Sequence, residues 1–159
     1  MSLNEVLLRV DRFAAGRQRD IRVPADRLAD PFLRRSWLVV RLLLGVAIML
    51  GVSAVGIAFW LTAQGMPEPF LVWFRSLVVL GLTGGLGYFS FRAEQGWYWA
   101  YSRMRLFSFV FPAVTLTIAA VPGLYPAWMT VEQVAFAALM LGVGALLSTR
   151  RMRAAYRKG

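Results

Sequence analysis

LLLGVAIMLGVSAVGIAFWLTAQGMP, Leu42 to Pro67, runs twenty-six residues without a charge. A bilayer's hydrocarbon core is about 30 Å thick, and about twenty apolar helical residues cross it. Only helices and closed barrels satisfy their own backbone polar groups in lipid, so this stretch predicts a membrane-spanning helix. Working outward, Pro69–Phe91, Leu106–Val131 and Gln133–Thr149 are three further apolar stretches, and Arg75 is the one charge they contain. The pattern predicts an all-α integral membrane protein, with four transmembrane helices in an antiparallel bundle over about 37–63, 70–91, 98–121 and 131–149. A hydrophobic content of 58% over 159 residues excludes a soluble domain with a wet surface and leaves no room for a separate catalytic domain.

The net charge of +10 would suggest nucleic acid in a soluble protein, but the placement of the basic residues argues otherwise. Nine Arg lie at or before Arg41, Arg92, Arg103 and Arg105 follow the second stretch, and Arg150 to Lys158 close the chain. With both termini cytoplasmic, seventeen of the eighteen basic residues fall on the cytoplasmic side, the bias that orients helices during insertion. The basicity therefore reports topology, and no nucleic-acid partner is expected. Trp37, Tyr88, Trp97, Tyr98, Trp99 and Tyr101 are expected at the inner headgroup level, and Trp60, Trp73, Tyr125 and Trp128 at the outer one. The use of Arg over Lys, with Lys158 the single Lys, suggests a GC-rich bacterial genome, and the positive-inside layout suits an inner membrane. Residues before Trp37 lack the apolar core of a cleavable signal, so the first span is expected to be an uncleaved anchor.

Residues 1–36 are expected to form a cytoplasmic or interfacial arm. Ser2 and Glu5 have capping-box spacing, and Leu3, Val6, Leu7, Val10 and Phe13 recur on one helical face, predicting an amphipathic docking helix near 3–15. The arm mixes eight Arg with five carboxylates, which suits a protein surface or the bundle's own cytoplasmic end better than a pure lipid anchor. Asp30 before Pro31 predicts a helix start there. Residues 150–159 are expected to be a basic cytoplasmic tail against anionic headgroups.

Small residues mark faces on which helix backbones approach closely, which matters because lipid tails remove the hydrophobic drive for helix association. Ala47, Gly51, Ala54 and Ala58 share one face of the first span; Gly81 and Gly85 make a GxxxG step in the second; Ala138, Gly142 and Ala145 repeat the spacing in the fourth. These faces serve contacts within the bundle or with a partner. Pro112 is expected to bend the third span near Thr115 and Thr117.

Catalysis lacks its parts. The chain has no His and no Cys, and of its eight acids, Glu5, Asp11, Asp20, Asp26, Asp30, Glu68, Glu94 and Glu132, none is expected within a span, Glu68 and Glu132 capping the second and fourth. No metal site and no enzymatic activity are expected. Arg75 lies about 8 Å inside the outer end of its helix, at ~1.5 Å per residue. It is expected to snorkel to the outer headgroups or pair with Glu68 or Glu132, and the sharper alternative is that it holds an anionic group. If it only snorkels or pairs in this way, its replacement by Leu should leave assembly and activity intact.

Two functions fit these residues. One is a non-catalytic small subunit or assembly factor of a larger bacterial inner-membrane complex, docking through the arm and the small-residue faces onto other membrane-protein subunits. The alternative is a small oligomeric channel or carrier for an anionic or neutral solute or lipid, built as a homo-oligomer. No cofactor is evident; bound lipid is expected, and a pigment or quinone between helices is compatible with the aromatic and glycine content.

Overall fold

The computed structural model describes residues 21–157 together with Glu5, Val6, Leu8, Arg9 and Arg12. Those five are helical, but Leu3, Leu7, Val10 and Phe13 of the amphipathic stripe lie outside the described residues. The described chain is all helix: α1 (Ala25–Leu28), α2 (Pro31–Ala63), α3 (Phe70–Glu94), α4 (Tyr98–Ala119), α5 (Ala127–Leu147) and α6 (Arg150–Ala155).

Asp30 starts α2 by accepting the Phe32 amide at 2.9 Å, with Pro31 in the first turn, where its missing N–H removes nothing. α2, α3 and α5 are long and apolar enough to cross a membrane. α4 is not among them. At 22 residues it is long enough, but its first half carries Arg103 and Arg105, which lower its mean hydropathy. α5 begins at Ala127, earlier than the expected start near 131, so Glu132 lies in its second turn and not at its cap.

Each long helix packs on its sequence neighbour, and α5 closes on α2. The helices run antiparallel, since Arg41 near the start of α2 pairs with Glu94 at the end of α3 at 2.8 Å, while Ala58 near the end of α2 packs with Val72 and Met129. Ala47, Gly51, Ala54 and Ala58 are all buried along α2. A Cβ at Gly51 would come within 3.2 Å of Leu80 Cδ1, so α2 and α3 meet there at close range. On α5 the buried line is Phe136, Met140, Val143 and Leu147; Ala138 and Ala145 face outward, and Gly142 is half-buried against Leu43. Gly81 and Gly85 also face outward. The helix continues through Pro112, and hydroxyls at Ser36, Ser76, Thr83, Ser108 and Thr117 each donate to the carbonyl four residues back, satisfying themselves without a partner helix.

The end of the bundle where α2 begins and α6 lies is more built than the sequence suggests. Trp37, Trp99 and Tyr101 are buried in the core. The expected basic tail is α6, and it folds back: Met152, Ala155 and Tyr156 are buried while Arg150, Arg151, Arg153 and Arg157 point outward. The Tyr156 ring stacks on Tyr101 at 4.2 Å, and its hydroxyl donates to the Ala93 carbonyl at 2.6 Å. Burial pushes the Tyr156 phenol above its ordinary range, so it sits there as a neutral donor. Residues 21–23 pair in an extended stretch with the α3–α4 turn, Val23 N–H donating to Gly96 O at 2.8 Å and Arg22 lying 4.0 Å over the Trp97 ring. Gly96 holds φ at +88°, and a Cβ there would meet Val23 O at 3.2 Å and Leu28 Cδ1 at 3.0 Å. Only glycine fits both demands.

Candidate functional site

The opposite end of the bundle holds a polar cluster where the sequence is otherwise apolar. Arg75 is the sixth residue of α3 and Glu132 the sixth of α5, so antiparallel neighbours to α4 bring them to one depth. Arg75 Nη1 donates to Glu132 Oε2 at 2.7 Å, and the two side chains are only 10% and 9% exposed. Arg75 therefore does not snorkel. Nor does Glu68 reach it: among the described residues Glu68 makes no ion pair with Arg75, and it lies half-buried in the α2–α3 turn. Replacing Arg75 by Leu would strand the buried Glu132 carboxylate.

The pair is incompletely satisfied. Arg75 Nη2 and Glu132 Oε1 are buried and have no hydrogen-bond partner among the described residues. Beside them Gln133 is fully buried, and both its amide nitrogen and its amide oxygen are unpaired. In the sequence Gln133 stands at the start of the last apolar stretch, where a polar residue reads as a helix boundary. The signal that could have found it is its place one turn beyond Trp128 and Met129, inside the apolar stretch.

Arg75 and Gln133 line a cavity of about 360 Å³ between α3, α4 and α5. That volume is in the range of small-molecule sites. Its walls are apolar, with Val79, Phe111 and Phe136 inward and Phe74 and Val114 at the rim, and Thr115 and Tyr125 add hydroxyls. Phe74 and Val114 are 55% and 52% exposed, so the cavity opens sideways between the helices. A second hollow, lined by Gly81, Gly85, Phe89 and Phe107, continues along the α3–α4 seam and shares Leu82 and Phe111 with the first. A Cβ at Gly81 or Gly85 would meet nothing within 4 Å, so the glycine floor is open. At the end of the seam away from Arg75, Phe89 packs on Trp99 at 5.8 Å and on Phe107 at 6.2 Å.

Chemically this arrangement can hold and orient. Among the described residues no three His, Cys, Asp or Glu side chains gather to ligate a metal. No His or Cys exists to serve as base or nucleophile beside Thr115. Comparison with protein-family models, curated proteins and solved structures finds no match for this chain.

Proposed function

We propose that this chain is a multi-pass protein of a bacterial cytoplasmic membrane, with four spans and both termini inside, that binds a lipid-soluble amphiphile between α3, α4 and α5 without catalysing its conversion. The observation that carries this reading is the fully buried, unpaired Gln133 amide beside the neutralised Arg75, at the polar end of an apolar cavity that opens sideways. An amide left unpaired in an apolar medium costs about 2–7 kcal/mol, so a ligand head that pairs with it is favoured where water is scarce. Sideways opening suits a molecule arriving from the hydrocarbon. Among the described residues the bundle interior is filled by Val40, Ala47, Met104, Met140 and Val143, which favours binding or carriage over conduction through one chain. The fourth span is supported by α4 packing against both α3 and α5, with Arg103 and Arg105 near its cytoplasmic end.

The test is to purify the protein from native membranes in mild detergent and extract it for mass spectrometry. Wild type retains an amphiphile near one per chain, and Thr115→Phe, which fills the cavity from α4, loses it while keeping helix content. Equal recovery from both proteins would contradict the proposal.

A second reading, the non-catalytic subunit of a larger inner-membrane complex, is favoured by one feature. Ala138 and Ala145 of α5 point away from the bundle, where a small-residue face admits a partner helix closely. If it holds, Ala138→Leu together with Ala145→Leu releases larger membrane partners that copurify with wild type. Partners that persist in the double variant would count against this interface.

A further inference from the structure

Resting on the amphiphile reading above, we infer that the ligand is a single-chain amphiphile with a neutral head carrying both a hydrogen-bond donor and an acceptor, of the monoacylglycerol or fatty-alcohol class. The head chemistry follows from what lines the cavity. Arg75 would attract an anion if it were free, but Glu132 already neutralises it at 2.7 Å. A second carboxylate or phosphate arriving there would face Glu132 at short range in a medium that screens little. Gln133 offers one unpaired donor and one unpaired acceptor, fully buried. A head that only accepts, such as a quinone carbonyl, would satisfy the amide nitrogen and leave the oxygen unpaired; a hydroxyl satisfies either and can serve both.

The chain follows from the seam. Arg75, Val79, Leu82, Leu86 and Phe89 recur on one face of α3 at steps of three and four, and they line the two hollows end to end. The distance from Arg75 to Phe89 is fourteen residues, or about 21 Å at ~1.5 Å per residue. Gly81 and Gly85 leave the floor of the seam open, and the stacked Phe89 and Phe107 rings mark its far end. The two hollows join through Leu82 and Phe111 into one seam between α3 and α4, which takes one chain lengthwise.

The experiment uses the full chain in detergent and reads quenching of its tryptophan fluorescence by sixteen-carbon probes brominated along the chain: a monoacylglycerol and the matching fatty acid, the latter ionised at pH 9. Trp99 packs against Phe89 at the far end of the seam and serves as reporter, and the difference between wild type and Gly85→Leu separates its quenching from that of the other five tryptophans. The expected result is saturable quenching by the monoacylglycerol at a concentration at least about tenfold below that of the fatty acid, a preference lost in Gln133→Leu. Gly85→Leu, which projects into open space and leaves the fold intact, weakens both probes. If the fatty acid binds as well as the monoacylglycerol, or if the preference survives in Gln133→Leu, while Gly85→Leu still weakens both, the neutral-head inference is overturned and the amphiphile site stands. If neither probe quenches saturably, the site itself falls and this inference with it.

Discussion

Arg75 decides more than its own position. Its charge is tolerable at depth because Glu132, fifty-seven positions away in sequence, meets it at 2.7 Å with both side chains nine-tenths buried. Removing one partner of such a pair leaves the other uncompensated, at a typical cost of about 3–5 kcal/mol, whereas replacing both by apolar groups is often neutral or better. Arg75→Leu is therefore expected to lower the detergent unfolding midpoint sharply, and Arg75→Leu with Glu132→Leu to recover most of the loss; equal instability of single and double variants would contradict the pairing. Gln133 behaves oppositely. Its amide is buried and unpaired in the ligand-free chain, so Gln133→Leu is expected to raise stability by about 1–3 kcal/mol while removing the head contact. At the other end, Gly96→Ala combines a positive φ, about 1–2 kcal/mol for an L residue, with contact against Val23 O. It is expected to free residues 21–24 from the α3–α4 turn, seen as faster amide exchange at Val23.

At the scale of the elements, apolar runs and capping residues predict helices well, and the Asp30–Pro31 start of α2 is a local signal read locally. The start of α5 is different. Glu132 looks like a boundary in sequence, because a charge beside an apolar run ordinarily marks the interface; only the cross-bundle contact with Arg75 makes its burial affordable. α6 was hidden by its arginines. Met152, Ala155 and Tyr156 carry helical spacing, yet four outward Arg dominate the composition, and nothing local says that Tyr101 and Ala93 wait to receive the ring and the hydroxyl. Tyr156→Phe removes the donor to a buried carbonyl and is expected to cost about 1–2 kcal/mol. Tyr156→Ala opens a cavity and is expected to cost about 3–5 kcal/mol. Changing Arg150, Arg151, Arg153 and Arg157 to Gln is expected to leave the unfolding midpoint within about 0.5 kcal/mol of wild type, since all four are exposed. Comparable losses from the arginine and tyrosine variants in the same unfolding assay would mean that α6 does not dock.

For the whole molecule, composition and the charge-free runs foretell a helical membrane protein, but which small residues face inward depends on how four helices share a circumference. The first helix keeps its small face inside, while Gly81, Gly85, Ala138 and Ala145 face out, and spacing alone is the same in both cases. The site was half legible for the same reason: Arg75 stands out as the one charge within an apolar run, whereas the seam and the Gln133 amide exist only once α3, α4 and α5 are assembled. All of it depends on α4 crossing the bilayer, so that the Arg75–Glu132 depth is set by the outer face and the arginine-rich ends by the inner one. The chain has no cysteine, so single cysteines at Gln64, Gln95 and Leu124, all exposed in their turns, report side without background. A membrane-impermeant thiol reagent added outside intact cells is expected to label Gln64→Cys and Leu124→Cys and to spare Gln95→Cys. Labelling of Gln95→Cys from outside, or protection of Leu124→Cys while Gln64→Cys reacts, would contradict four spans with both ends in the cytoplasm.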